Sequence, residues 1–321
     1  MDLLSLFALL QRNANTDAAA APQTLADWRA GLSVGSDPFA SAVDTGARAG
    51  QLAFAFAGGY QAAIRRLLPD LAPHAFVALL LSEGKRQRPD ELLTTLRPAG
   101  NGAFLLEGEK SYVMGGAAAD ELLVVARRGV AADGRVESAM VRLPAHAAGV
   151  AHEARQDALI LPALPHGRAR FSRVEVREGM ILPRDGWTQY ARPFRTLEDI
   201  HVSAAIAAHL AVHAIRRGFP SMLQAALAAC ILRLQDCARA DAADPAAHLL
   251  LAAAERELQQ AAVQATELMK PDDDAFARDW RANAAIVGLA IPARQQRLEK
   301  AIAALRQRAG APVGGGPVPG Q

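Results

Sequence analysis

The hydrophobic pattern changes period twice along the chain. Residues 1–76 carry apolar positions at three- and four-residue spacing, most clearly over 25–32, 39–57 and 60–68, which predicts helices. Asp37-Pro38 supplies a helix start, Gly58-Gly59 a break or a tight helix crossing, and Pro69 and Pro73 close the segment. The opening decapeptide reads as an amphipathic first helix. Asp2 stands where a signal peptide needs a basic residue, and no clean cleavage site follows. From about Phe76 to Trp187 the period shortens. Short strands are predicted over 77–81, 92–96, 103–106, 111–114, 122–127, 137–143, 168–171 and 174–178. Turn signals separate them at Pro98-Ala99-Gly100-Asn101-Gly102, Asp133-Gly134 and Pro165-His166-Gly167.

After Arg195 the helical period returns over 196–217, 220–240, 245–269 and 275–307. The breaks fall at Gly218, at Ala242-Ala243-Asp244 and at Pro271-Asp272-Asp273-Asp274, and Pro220 and Pro245 sit where a first helical turn tolerates proline. Short connections between long amphipathic helices imply an antiparallel four-helix bundle. The expected fold class is α+β: an N-terminal helical domain (1–76), a small antiparallel β-barrel or sandwich domain (77–190), the C-terminal bundle (191–309) and a Gly/Pro-rich, disordered tail (310–321).

Composition narrows this picture. An apolar fraction of 51% in 321 residues supports a sizeable core, and abundant alanine with only 5% aromatics points to helices packed through small side chains. A net charge of +2, with no basic run interleaved by aromatics, excludes a nucleic-acid surface. Lys85-Arg86-Gln87-Arg88 reads as a solvated basic loop, with an anionic ligand as the alternative. Cys230 and Cys237 lie two helical turns apart, too far for a disulfide within one helix, and are read as buried thiols in a reducing, cytoplasmic setting. No apolar run is long enough to span a bilayer.

Candidate chemistry centres on the stretch from Gly108 to Arg127. By itself it reads as two strands joined by a turn at Gly115-Gly116, where the backbone can take unusual dihedrals or approach a ligand. Glu198, His201, His209 and His213 share one helix face. His209 and His213 have the i,i+4 spacing of a two-point metal site, with Glu255, Glu257 and Glu267 on the bundle's other helices, but no E-x-x-H repeat occurs on two helices. A polar or interfacial helix face accounts for the same residues. Asp272-Asp273-Asp274 reads as helix N-terminal charge. Nucleophile-elbow, P-loop, CxxC and dinucleotide-binding glycine motifs are absent.

Helices, a small β domain, then a helical bundle: this order resembles the acyl-CoA dehydrogenase family of flavoproteins. Gly108-Glu109-Lys110-Ser111-Tyr112-Val113-Met114, followed by Gly116, Ala119 and Asp120, is similar to that family's G-x-K-x-W-I-T-N-G…A-D segment. Ala78-Leu79-Leu80-Leu81-Ser82-Glu83 is similar to the strand and loop carrying its T-E-P-x-x-G-S-D motif. Phe171, Val174, Val176, Leu182 and Gly186-Trp187 resemble the end of its β domain. The resemblance implies FAD in a cleft between β domain and bundle, contacted by Leu81, Ser82, Tyr112, Val113 and Met114. It also implies an acyl-CoA or other thioester substrate, a separate electron acceptor, and a homodimer or homotetramer. In such proteins a glutamate removes the proton α to the thioester carbonyl while hydride leaves the β carbon for the flavin.

The sequence departs from that pattern where the chemistry sits. Ser82-Glu83-Gly84-Lys85-Arg86-Gln87-Arg88-Pro89 lacks the G-S-D ending, Tyr112 replaces tryptophan, and Met114 replaces a hydroxyl with a weakly accepting thioether. The R-x-x-F-G pattern is absent, with Arg217-Gly218-Phe219-Pro220 a poor remnant of it, which removes an arginine normally aimed at the FAD phosphates, and Q-x-x-G-G-x-G-Y is missing. The segment that usually carries the catalytic glutamate falls near Ala290. Some relatives carry the base on the first bundle helix instead, and Glu198 occupies that position; its alternative role is favourable charge in a helix's first turn, with Thr196 as cap. Three functions follow from the resemblance: an FAD-dependent dehydrogenase acting on a CH–CH bond of an acyl thioester, a non-catalytic or weakly flavin-binding paralogue, and a flavin monooxygenase of the same fold, which needs no glutamate base.

Overall fold

A computed structural model describes residues 1–17, 20–84, 88–155, 160–270 and 274–310. Four helices come first: α1 (Leu3–Ala14), α2 (Leu25–Ala30), α3 (Pro38–Arg48) and α4 (Leu52–Leu67). Seven strands follow: β1 (Val77–Leu80), β2 (Thr95–Gly100), β3 (Ala103–Met114), β4 (Glu121–Val130), β5 (Val136–Pro144), β6 (Val150–Ala154) and β7 (His166–Arg177). A single π-turn, Trp187–Ala191, leads into α5 (Arg192–Arg216), then α6 (Ser221–Arg239), α7 (Pro245–Leu268), α8 (Ala275–Asn283) and α9 (Ile291–Gly310). The basic residues 85–87, the acidic residues 272 and 273, and the tail 311–321 lie outside the described residues.

Local chemistry sets the helix starts. Asp2, Thr24, Asp37, Asp244 and Asp274 each accept from a backbone N–H of the first turn, satisfying donors that a helix N-terminus leaves open. Proline follows Asp37 and Asp244 directly, where its missing N–H costs nothing.

The strands form one curled, mixed sheet. β4 carries β5 antiparallel on one edge; on the other, β1 pairs parallel with its first half and β2 meets it at Arg127. The order continues β2–β3–β7–β6, all antiparallel. The antiparallel barrel or sandwich expected from the sequence therefore gives way to a mixed sheet with a parallel seam, and no ladder joins β5 to β6 among the described residues. The predicted strands at 103–106 and 111–114 are one long β3, kinked by ladder irregularities near Gly108 and between Lys110 and Val113.

β4 explains the uninterrupted apolar run at 122–126. Leu122, Val124 and Ala126 face a core enclosed by the curled sheet with Leu96, Leu106, Val113, Val141, Phe171 and Val176. Leu123 and Val125 face the helices. A strand buried on both faces loses the polar alternation of a half-exposed one.

The C-terminal half is not an independent four-helix bundle. α5 packs on α3 and α4 as well as on α6, and one continuous core runs from α1 through α8. The predicted helix over 275–307 is interrupted: α8 ends at Asn283, a 3₁₀ turn runs Ala284–Gly288, and α9 begins at Ile291. α5 sits so close to its neighbours because they lack side chains at the crossings. A Cβ on Gly46 of α3 would lie 2.1 Å from the Ala205 carbonyl oxygen, and one on Gly59 of α4 would lie 2.6 Å from Val202 Cα. Gly46→Val is expected to destabilise the fold by ~2 kcal/mol or more through overpacking against an immovable backbone. Gly35→Ala, whose Cβ meets nothing nearer than 3.6 Å, serves as the control and is expected to shift a urea unfolding midpoint little.

Candidate functional site

The loop after β1 is fixed by a buried ion pair. The Lys110 side chain is fully buried, and its Nζ lies 2.7 Å from Glu83 Oε1 and donates to the Leu81 carbonyl. Glu83 also accepts from the backbone N–H groups of Leu93 and Thr94, which anchors the approach to β2. Burial opposes the Glu83 charge, but Lys110 and these hydrogen bonds outweigh it and hold the carboxyl below its ordinary range. Burial draws the Lys110 ammonium down to about 8, with Glu83 pulling the other way. The Ser82 carbonyl accepts from both the N–H and the hydroxyl of Ser111. Leu81 and Ser82 are thereby stitched to β3 immediately before Tyr112.

Along β3 the side chains divide. Tyr112 is 43% exposed and its ring stacks on His166 of β7, centroids 5.0 Å apart. Val113 turns into the inner core of the sheet, and Met114, 2% exposed, packs into the core beneath the helices. Met114 and Val113 are thus held on opposite faces and neither side chain is open to a ligand. The His166 Nδ1 atom is buried without a hydrogen-bond partner.

Glu198 comes to the same seam from the second turn of α5. Burial first, then the charge of Asp199, push its carboxyl up to about 8, against the opposing pull of Arg195, Arg294 and Arg297. Its charge in turn reaches two tyrosines from different layers. After burial, Glu198 is the next cause raising the phenols of Tyr60, on α4, and Tyr112, which rises to about 12. Glu198 and Tyr112 retain access to solvent while protein atoms crowd them. Tyr60 is fixed by accepting from the Leu79 N–H at 2.8 Å and by an edge contact with Phe194, centroids 5.5 Å apart. Tyr60, His166 and Phe194 had no role in the sequence reading. His166 lay in what read as a turn, and Tyr60 beside a glycine pair that marked only a helix crossing.

Asp199, the next residue, faces a different job. Arg294 lies 2.9 Å from both Asp199 and Glu255, and Arg297 also pairs with Asp199, tying α9 to α5 and α7. Burial and Asp199 push Glu255 up to about 7. Ala290 stands just before α9 and brings no acid to this region.

A cavity of about 910 Å³ lies elsewhere, between α1, α3, the end of α5 and α8, and neither Glu198 nor Tyr112 lines it. Three of its four arginines are engaged: Arg216 donates to carbonyls at and just beyond the end of α1, Arg48 pairs with Asp44, and Arg217 pairs with Asp274 while lying over the Phe276 ring. His209 and His213 pack with Phe276 in this end of the core, where burial lowers the His209 imidazole to about 4. Among the described residues no three His, Cys, Asp or Glu side chains gather as a metal site. Cys230 and Cys237 are free and buried, their thiols pushed up to about 12 and 11 by burial. No described helix is long and apolar enough to cross a membrane.

The architecture has clear counterparts among solved structures. Butyryl-CoA dehydrogenase from Megasphaera elsdenii superposes with a TM-score of 0.70 at 13% identity, the match covering 94% of this chain and 100% of that one. The chain has the acyl-CoA dehydrogenase fold. An acyl-CoA dehydrogenase from Slackia heliotrinireducens gives a TM-score of 0.64 at 16% identity over 96% and 97% of the two chains. KijD3, solved in complex with FMN and a dTDP-amino-keto sugar, gives 0.64 at 17% identity over 95% and 93%. No family model matches the sequence, and no curated protein matches it.

The raised carboxyls make a pH prediction. Glu198 and Glu255 hold protons in the folded state that the unfolded chain releases near its ordinary carboxylate value of 4.5. The unfolded state therefore binds fewer protons between about pH 5 and 8, so stability falls as pH rises through that window. Glu198→Gln is expected to flatten, not abolish, the decline in thermal midpoint, because Glu255 continues to titrate.

Proposed function

We propose that this protein is a flavin-dependent oxidoreductase whose cleft lies between the Tyr112–His166 pair of the sheet and the first turns of α5. The single observation that carries this reading is Glu198: a carboxyl raised to about 8 whose charge reaches two tyrosines, one of them exposed, on the fold of acyl-CoA dehydrogenases. The residues present suit a flavin ring. The exposed Tyr112 face offers stacking, the unpartnered His166 Nδ1 offers a hydrogen bond, and the Leu81–Ser82 backbone is held rigid beside them. The dinucleotide arm has less support. The pattern that carries the phosphate-facing arginine is absent, and Arg217, in its remnant, is committed to Asp274 and Phe276. FAD is the cofactor proposed, with FMN to be compared against it because KijD3 was solved with FMN.

The proposed reaction is oxidation of a CH–CH bond of an acyl thioester. When bound, the flavin supplies the acceptor for the hydride leaving the β carbon. Glu198, deprotonated, takes the proton from the carbon α to the thioester carbonyl, and its raised affinity for protons makes it a stronger base than an exposed glutamate. Tyr60 and Phe194 pack edge to face between α4 and α5, and the Arg294–Asp199 pairing ties α5 to α9. Homo-oligomeric assembly and a separate electron acceptor belong to the same proposal.

Reconstituted protein mixed anaerobically with a short-chain acyl-CoA is expected to lose the visible absorption of oxidised flavin, at a rate that rises with pH towards about 8. Glu198→Gln is expected to keep its flavin and slow this bleaching by ~100-fold or more. Unchanged bleaching in the variant removes Glu198 as the base. Flavin that binds but resists bleaching by thioesters, while reacting with oxygen once reduced, moves the assignment to a monooxygenase.

A further inference from the structure

A second cavity, about 360 Å³, opens on the helical layer between the start of α3, the end of α4, α5 and the end of α6. Ser36, Asp37, Phe39, Arg65, Arg66, His201, Gln235 and Arg239 are among its lining residues. Two of them carry buried polar atoms with no partner. Arg65 is 3% exposed; its Nη atoms donate to Gln61 and to the carbonyls of Ala72, Pro73 and Ala75, but its Nε is unpaired. No carboxylate bonds to it: Glu121 acts on it only through space, and burial outweighs that pull, so the guanidinium is bonded to neutral acceptors and an anion in contact with it would lower its free energy.

His201 is fully buried. Its Nδ1 lies 2.7 Å from the Leu197 carbonyl, which can only accept, so Nδ1 carries the proton. Burial lowers the imidazole to about 4 and keeps the ring neutral, so the unpaired Nε2 is a bare acceptor. The remaining charges on the wall are Arg66, which has no acidic partner among the described residues, Arg239, paired loosely with Asp236 at 3.5 Å, and Asp37. Three arginines against one aspartate leave the wall cationic.

From this pairing of a buried guanidinium that no carboxylate contacts with a buried lone-pair acceptor, we propose that the cavity binds a small oxyanion that also carries a hydroxyl group. The oxyanion oxygens accept from Arg65 Nε, Arg66, Arg239 and the Gln235 amide, and the hydroxyl donates to His201 Nε2. Inorganic phosphate meets both requirements at neutral pH, because it retains at least one P–OH. A small hydroxylated phosphate ester meets them with an alcohol, and the cavity is roomy enough for it. Sulfate has the same shape and no proton, so its oxygen faces the His201 lone pair without a bond. Asp37 disfavours a ligand of high negative charge. The site is separate from the flavin cleft and stands whether or not that reading holds.

The test is isothermal titration of the full chain with phosphate, glycerol 3-phosphate and sulfate at matched ionic strength. Phosphate or its ester is expected to bind at least ~10-fold more tightly than sulfate, since a lost hydrogen bond to a buried acceptor is worth about that factor. Arg66→Ala, at an exposed position, is expected to weaken binding by ~10-fold, as loss of a charge-assisted contact should. His201→Phe is expected to erase the preference over sulfate; Gln235→Leu, with weaker binding of all three anions, provides a second handle should that variant misfold. The tighter of the two phosphate ligands identifies free ion or ester. Equal binding of phosphate and sulfate, or affinity unchanged in Arg66→Ala, reduces the feature to a cationic surface. No binding at millimolar concentration leaves the two orphaned atoms to water. Either result overturns the proposal.

Discussion

Everything in this molecule depends on how closely α5 is allowed to approach α3 and α4. At Gly46 and Gly59 backbone meets backbone, with no room for a methyl group. Alanines along the C-terminal half of α5, from Ala204 to Ala214, keep that approach open, and dispersion contacts at such short range are dense. The consequence is one helical core in place of separate N- and C-terminal domains. α5 becomes a rigid spine that carries Glu198 to the sheet seam and, one turn on, His201 to a different cavity. Both functional proposals rest on the precision with which that helix is seated.

Charge placement around the spine divides into two kinds. Some buried charges are closed pairs: Lys110 with Glu83, and Arg294 with Asp199 and Glu255. Removing one partner from such a pair leaves the other stranded, which is why these sites read as anchors that fix loops and helices. Others are open. Glu198 has cationic neighbours but no hydrogen-bonded mate, Arg65 has acceptors but no carboxylate bonded to it, and His166 and His201 each keep a buried nitrogen unpaired. Open groups in recesses are where a ligand changes the energetics most.

Much of the fold was legible in the sequence because period is a local property. The switch from 3.6 to 2 and back marks the helical layer, the sheet and the return to helices, and capping residues such as Asp37 and Asp244 mark helix starts. The glycine-bearing stretch from Gly108 to Arg127, with the loop at Ser82-Glu83, was enough to point to the acyl-CoA dehydrogenase fold. Less local features were not readable. The parallel seam of β1 on β4 joins segments more than 40 residues apart, and the merging of two helical regions depends on glycines whose neighbours lie on another helix. Glu198 was readable as a candidate only by its position on the first C-terminal helix; the burial that tunes it is a property of the whole fold, and Arg294 and Arg297, which pull against it, are distant in the chain. His166 and the Arg65–His201 cavity gave no motif at all, since each is defined by what fails to pair with it in three dimensions.

The central claim is that the seam beside Tyr112 holds a flavin ring. Quenching of flavin fluorescence on addition of the protein measures this most directly, because stacking on a tyrosine face quenches the ring. Saturable quenching of FAD or FMN, lost in Tyr112→Ala and kept in Arg66→Ala, is the result expected. Fluorescence of both flavins that stays unchanged by the folded protein would contradict the account.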